Sequence, residues 1–364
     1  LITLEQVTRR YGETVAVDGL TLEVENGEVC VLIGPSGCGK TTTLRMINRL
    51  IEPSAGRILI DGRDTAGIDT RKLRLSIGYA IQSVGLFPHL TVFHNIAVVP
   101  QLLHWDKQRI SGRVEELLDL VGLEPEVYAG KYPGQLSGGQ AQRIGVARAL
   151  AADPPIMLMD EPFGAVDPLT RERLQEQFLR IQRELKKTVV LVTHDLDEAI
   201  RLADRIAIME AGKLVQYDTP EEILSRPGNK FVRDFVGADR ALKRLSRLNI
   251  TRYVKPAASV GLDGKARGAI SASGDRWLWV VDDKQQLIGW VDGNLLKEGI
   301  SIKEAMDAGD SREIALSESA TLREALSRML GLGFMRVPVV DNSYRLIGEV
   351  SLKDVESATS EGGG

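Results

Sequence analysis

Gly34-Pro35-Ser36-Gly37-Cys38-Gly39-Lys40-Thr41 is the stretch whose reading decides the fold. It has the form G-x-x-x-x-G-K-[ST], a phosphate-binding loop. Before it, Val29-Cys30-Val31-Leu32-Ile33 is a short apolar run of the kind a buried strand carries. After it, Thr42 to Leu50 places Leu44, Ile47 and Leu50 at helical spacing. Strand, glycine-rich loop and helix is the context the motif requires. The glycines let backbone N–H groups crowd round an anion with no Cβ in the way. The start of the helix adds its positive dipole end. Lys40 is expected to reach the β- and γ-phosphates of a nucleotide, and Thr41 to place its hydroxyl on Mg²⁺. All of Gly34 to Thr41, with Thr42 beside them, are candidate cofactor-binding residues.

The rest of the chain sets limits. Its 364 residues give room for two or three domains. At 43% hydrophobic and 26% charged, the composition is that of an ordinary globular protein. A net charge of −4 and 5% aromatics argue against nucleic acid as a partner. Two cysteines, Cys30 and Cys38, share one strand-and-loop unit and make no disulfide framework, which suits a reducing compartment. No apolar run reaches the 18 or so residues of a membrane span. The N-terminus lacks a signal-peptide pattern. A start at Leu1 suggests a trimmed record, and Gly362 to Gly364 a frayed tail.

Outward from the loop, residues 2–8 and 20–24 alternate apolar and polar, as antiparallel strands joined through Arg10 to Gly19 would. Tyr11, 29 positions before Lys40, could stack on an adenine ring or simply pack. Gly56 to Gly62 is a strand closed by an Asp-Gly hairpin signal. Ser76 to Gln82 is another apolar strand, and helical patterns follow to about Leu123. Gln82 could link a nucleotide site to that insertion. In Leu136-Ser137-Gly138-Gly139-Gln140, Ser137 is a good N-cap, and Ile144, Ala147, Leu150 and Ala151 continue at helical spacing. Pro155-Ile156-Met157-Leu158-Met159-Asp160-Glu161 reads as a buried parallel strand delivering two acids at its C-terminal end. Asp160 would hold Mg²⁺, directly or through water, and Glu161 would deprotonate an attacking water. Thr188 to Thr193 is a β-branched strand that delivers His194.

In this order, Tyr11, Gly34–Thr41, Gln82, Leu136–Gln140, Asp160, Glu161, Asp167 and His194 resemble the nucleotide-binding subunit of ATP-binding-cassette (ABC) transporters along residues 1–237. Leu136-Ser137-Gly138-Gly139-Gln140 is that family's own signature. The resemblance implies a P-loop ABC ATPase domain of α/β class, with an inserted helical subdomain over about 85–150. It also implies ATP and Mg²⁺ as cofactors and a head-to-tail homodimer in the ATP-bound state. Each site would take the loop, Asp160 and Glu161 from one subunit, with Ser137 and Gly139 of the other facing the γ-phosphate. Tyr11 matches the adenine-stacking aromatic, Gln82 the γ-phosphate sensor and Mg²⁺ ligand, and His194 the switch histidine. Glu161, His194 and Lys40 are the residues the resemblance makes catalytic. In Gly164-Ala165-Val166-Asp167, glycine stands where the family usually has serine.

Thr219-Pro220-Glu221-Glu222 starts the closing helices of the cassette as a capping box. Arg240 to Lys255 then carries six basic residues and no acid, with Leu242, Leu245 and Leu248 alongside. It reads as a solvated linker helix or as a strip for an anionic membrane surface. The last third holds a repeat. Val280-Val281-Asp282 and Leu287-Ile288-Gly289 return 59 positions later as Val339-Val340-Asp341 and Leu346-Ile347-Gly348. The two copies, over 238–297 and 298–364, resemble tandem cystathionine-β-synthase-type (CBS) repeats, a smaller α+β module. In that family a Ser/Thr-x-x-Asp can hold an adenosine ribose. Ser351-Leu352-Lys353-Asp354 keeps it, whereas Asp292-Gly293-Asn294-Leu295 lacks the acid, and Gly261 to Gly274 is glycine-rich where a helix is expected. An adenine nucleotide at this module is thus implied by one repeat and opposed by the other.

A cassette followed by CBS repeats resembles the glycine betaine/choline/carnitine/proline osmoprotectant importers, and Gly78 to His89 fits that group. This implies an ATPase subunit on the cytoplasmic face of the membrane, bound to permease subunits and served indirectly by an extracytoplasmic binding protein. The alternatives are an importer of another polar solute such as methionine, or a non-transport cassette. The solute touches other subunits, so this chain does not encode it.

Overall fold

The computed structural model describes residues 1–81, 85–164, 167–237, 239–262, 277–292, 301–306 and 311–360. The chain forms two compact units: Leu1–Ile223 with Pro227–Val236, and Leu224–Arg226 with Gly237–Gly364.

In the first unit, β1 (Ile2–Tyr11) and β2 (Thr14–Val24) are antiparallel, with Ile2 opposite Val24 and Tyr11 opposite Thr14. The strands run further than their alternation suggests, leaving only Gly12 and Glu13 between them. Register shifts within the pair break the strict period of two that a sequence pattern relies on. β3 (Val29–Ile33) is buried throughout and leads into α1 (Lys40–Ile47). α1 stops short of Leu50, because Arg49 is left-handed (φ 47°) and its guanidinium donates to the carbonyls of Thr65 and Ile68. β4 (Ala55–Ile60) turns through Asp61 and Gly62, both at positive φ, onto β5 (Arg63–Asp64), the expected hairpin. Then come α2 (Thr70–Leu75), β6 (Ile77–Ala80), α3 (Val92–Leu102), α4 (Lys107–Leu120), α5 (Pro125–Tyr128) and α6 (Gly138–Leu150). β7 (Ile156–Asp160), α7 (Pro168–Leu185), β8 (Thr188–Val192), α8 (Leu196–Leu202), β9 (Arg205–Glu210) and β10 (Lys213–Asp218) follow, and α9 (Pro220–Ser225) and α10 (Lys230–Val236) close the series.

These strands make two sheets, β2-β1-β4-β5 and β10-β9-β3-β8-β7-β6. The second is parallel from β6 to β9, and only β10 runs antiparallel. β3, β7 and β8 are buried at every residue, which explains why they read as unbroken apolar runs. Because the three are parallel neighbours, their C-terminal ends deliver the phosphate loop, Asp160 and Thr193 to one edge of the sheet.

The second unit begins with α11 (Arg240–Leu245). Its two three-stranded sheets are β11 (Ser259–Gly261), β12 (Trp277–Val281) and β13 (Leu287–Asp292), and β14 (Leu316–Ser317), β15 (Arg336–Val340) and β16 (Leu346–Ser351). Each has a parallel first pair and an antiparallel second pair. The repeat extends to register: Val281 faces Leu287 as Val340 faces Leu346, and Trp279 faces Trp290 as Pro338 faces Glu349. Glu349 is buried between the repeats, taking Trp279 Nε1–H on one oxygen at 2.7 Å and Arg336 on the other at 2.6 Å.

The basic stretch Arg240–Lys255 is not a solvated linker: it packs on the second repeat, although Leu242 stays 46% exposed. Leu245 (1% exposed) and Ile250 (0%) lie in the core built by the second repeat, and Leu248 packs against it. Arg244 donates to the carbonyl of Ala358 at 2.7 Å, near the end of the closing helix, where a cation is favoured. Leu245 and Leu248 face the module because their partners, Leu322 and Val355 among them, lie far along the chain, beyond any local pattern.

Candidate ATP site

The phosphate loop is fixed from below. Gly34 has φ 151°, and a Cβ there would come within 2.1 Å of the Met209 carbonyl on β9, so no other residue fits. Gly39, at φ 105°, precedes α1 and gives it no side-chain cap. The first N–H groups of α1 are therefore the unsatisfied donors of a helix start, placed for an anion. Lys40, 8% exposed, donates to the carbonyls of Gly34 at 2.7 Å and Pro35 at 3.0 Å, so its charge lies over the loop. Among the described residues nothing stands within 4 Å of where a Cβ on Gly37 would be, which leaves space beside the loop.

Thr41 Oγ1 donates to Asp160 Oδ1 at 3.0 Å across the α1–β7 junction. Asp160 is 3% exposed. Burial pushes its carboxyl above the usual range, the Thr41 hydroxyl and Arg45 draw it back down, and Glu161 adds repulsion. A buried carboxylate touching a hydroxyl is a hard-oxygen set, which fits Mg²⁺. Glu161 follows on a left-handed backbone (φ 47°), a conformation that costs a non-glycine residue energy and is kept where function requires it. Its N–H donates to Val192 O at 2.9 Å, and its carbonyl accepts from Gln142 Nε2 at 3.4 Å and Gly164 N at 3.2 Å. This clamp aims the Glu161 side chain at His194, whose Nδ1 lies 3.2 Å from Oε1. Gln142, two residues past the signature on α6, is a contact the sequence reading missed. Its only signal was an amide on a helix otherwise apolar toward the core.

The structure thus brings together the loop, Lys40, Thr41, Asp160, Glu161 and His194. It does not bring Ser137 or Gly139 to them. Ser137 is exposed and caps α6, exchanging hydrogen bonds with Gln140 (2.9 and 3.3 Å). Tyr11, 46% exposed at the end of β1, has the Arg9 guanidinium 4.5 Å over its ring. Asp167 caps α7 through Thr170 N at 3.1 Å. Gln82, Leu295 and Asp263 to Gly274 lie outside the described residues.

Position in the loop suggests that Cys38 is a reactive thiolate beside Lys40. The structure moderates this. Cys38 is 3% exposed, and its sulfur, 3.7 Å from Lys40 Nζ, is packed against Gly34. Cys30 is fully buried, and burial, with Glu28 adding to it, pushes its thiol well above the usual range. A maleimide is therefore expected to inactivate the ATPase only slowly, through Cys38 alone, and more slowly still with ATP bound. Mass spectrometry of the labelled peptide, and a resistant Cys38→Ser variant, check this; rapid labelling at Cys30 would contradict it.

In the second unit, Asp354 is already engaged. Lys255 Nζ pairs with one oxygen, while Ser351 N (2.9 Å) and Ser351 Oγ reach the other. Burial alone would raise the Asp354 carboxyl, but the bonds from Lys255 and Ser351 more than reverse it and hold it below its ordinary value. The Ser-x-x-Asp motif thus closes on itself as a helix cap.

Comparison with known proteins agrees with this geometry. The ABC transporter family matches residues 17–164, and the CBS domain matches residues 300–361. The chain is 45% identical to the osmoprotectant import ATP-binding protein OsmV of Salmonella typhimurium, over 100% of this chain and 97% of that protein. It is 48% identical to the glycine betaine/carnitine/choline transport ATP-binding protein OpuCA of Bacillus subtilis, over 96% of this chain and 94% of that one. A solved dimeric ATP-binding cassette, in a post-hydrolysis state with ADP and Pi, superposes with a TM-score of 0.56 at 34% identity. It covers 60% of this chain and 99% of its own. No helix among the described residues is long and apolar enough to cross a membrane. With relatives this similar over nearly its whole length, the chain belongs to the ABC transporter family, as an ATP-hydrolysing, ATP-binding subunit that carries a C-terminal CBS domain.

Proposed function

We propose that this chain energises uptake of a quaternary-amine osmoprotectant of the glycine betaine, choline, carnitine or proline betaine class, working at the cytoplasmic face of the membrane. The observation that carries this reading is the extent of the match. The relatives named for osmoprotectant and for glycine betaine/carnitine/choline transport align through the CBS module and not only the cassette.

In this reading two copies close head to tail over two ATP molecules. The loop residues Gly34 to Thr42 hold the phosphates, with Lys40 opposing their charge and Tyr11 under the adenine. Thr41, Asp160 and Gln82 take Mg²⁺, which supplies charge neutralisation on the β- and γ-phosphates. Glu161 accepts the proton of the attacking water, and His194 orients that carboxylate. Ser137 and Gly139 complete the partner's site, consistent with their exposure and distance from the loop of their own chain. Permease subunits receive the closing motion through the helical segment α3–α6, and an external binding protein delivers the solute. The Lys255–Asp354 pair speaks against an adenine nucleotide at the CBS module.

The test is uptake in a strain stripped of its own osmoprotectant importers, carrying this chain with cognate permease and binding-protein subunits. Labelled glycine betaine, choline or carnitine should accumulate, and Glu161→Gln should abolish the uptake. Accumulation of methionine and none of the amines would overturn the substrate class.

A further inference from the structure

Beside the ATP site lies an acid that no step of hydrolysis uses. Glu198 sits in the first turns of α8 and is 5% exposed. Its Oε2 accepts a hydrogen bond from Thr193 Oγ1 at 2.9 Å. Its Oε1 is buried and has no hydrogen-bond partner among the described residues. Thr193 ends the strand that carries His194, and its hydroxyl has one hydrogen to give. That oxygen also accepts Asp195 N–H at 3.1 Å, so the hydrogen is committed to Glu198. Asp195 in turn caps α8, accepting from the N–H of Asp197 at 2.9 Å and of Glu198 at 3.2 Å. The segment Thr193-His194-Asp195 is therefore tied at both ends to the start of α8, and the Glu198 carboxyl is the anchor of one tie. On the other side of the strand end, Val192 O holds Glu161 N.

We propose that Glu198 is a positioning residue for ATP hydrolysis: through the Thr193 hydroxyl it fixes the loop that holds His194 against Glu161. A neutral acid tolerates the unpartnered oxygen in a buried site, whereas a carboxylate there must find a cation or water. Among the described residues, the Thr193 hydrogen bond favours its charge, Asp195 on the loop disfavours it, and Arg171 on α7 and His194 favour it. Arg171 also lies 3.4 Å from Asp195 Oδ2, so it is shared between the two acids. Burial outweighs these, and the Glu198 carboxyl is pushed up from 4.5 to about 7. The sign follows. Below that value Glu198 is neutral and a weaker acceptor for Thr193. As the pH rises through it, the carboxylate forms, takes a stronger hydrogen bond from the Thr193 hydroxyl and tightens the tie. The inference rests on the role given above to Glu161 and His194.

The experiment is steady-state ATPase kinetics of the purified full chain from pH 6 to 9. Wild type should show a rise in kcat with a midpoint near the Glu198 ionisation. Glu198→Gln keeps the acceptor for Thr193 and cannot ionise, so it should match wild type at the acid end and lose that rise. Glu198→Ala and Thr193→Val should each lower kcat about tenfold with the KM for ATP nearly unchanged, and together do little more than either alone, as members of one tie should. Circular dichroism shows which variants fold. If Glu198→Ala does not, Glu198→Gln and Thr193→Val decide the matter. A Glu198→Gln profile identical to wild type, or a Thr193→Val enzyme with full kcat, would overturn the proposal. Failure of the reading beneath it looks different: Glu161→Gln would then turn over normally whatever Glu198 carries.

Discussion

Glu161→Gln is expected to bind ATP and scarcely hydrolyse it. The substitution is isosteric, so the left-handed backbone at this position and its clamp by Val192, Gln142 and Gly164 remain. What disappears is the acceptor for a water proton. A positioned general base is worth about 10²–10⁴ in rate, and kcat should fall by that much. In the proposed site the phosphates would still meet Lys40, the start of α1, and Mg²⁺ held by Thr41 and Asp160, so nucleotide affinity should change little. In the proposed cycle the dimer opens on hydrolysis, so the variant should collect as an ATP-bound dimer, visible by size-exclusion chromatography with light scattering. Near-normal turnover would remove Glu161 from the role of base.

The second large effect belongs to a residue that touches nothing in its own site. Ser137→Arg should depress ATPase activity by roughly 10²-fold or more, the scale on which loss of an oxyanion donor is felt. Binding of ATP to the isolated subunit should stay nearly intact, because among the described residues the Ser137 side chain is bonded only within its capping box with Gln140. A mixed dimer of Ser137→Arg with Lys40→Ala separates the possibilities. Head-to-tail pairing puts both lesions in one site and leaves the other whole, so one nucleotide should be occluded per dimer. Occlusion of none would mean that each chain completes its own site.

Much of this was legible in the chain because it is local. The phosphate loop, the Asp-Gly hairpin, the acids at the end of β7 and the cap of α6 each depend on residues within a few positions. The parallel strands announced themselves by being buried on both faces. What escaped depends on distant partners. The end of α1 is set by Arg49 reaching 16 and 19 positions ahead. The basic stretch read as surface because Leu245 and Leu248 find their core in the second repeat, near Leu322 and Val355. Glu198 looked like an ordinary acid at the start of a helix, since only the fold shows it turned inward beneath Thr193. In the same way, Asp354 read as a ligand-binding acid because its partner Lys255 stands 99 positions before it.

That last pairing amounts to a ligand on a tether. The backbone of Lys255 is stitched to Glu349 by two hydrogen bonds of 2.9 Å, so its ammonium returns to Asp354 with no diffusional search. A group held this way competes at an effective concentration on the order of millimolar or above. A solute arriving from solution must outbid it at every encounter, and its apparent affinity falls by the fraction of time the tether is home. Two residues that spell a binding motif can therefore be kept silent by a third that no motif includes.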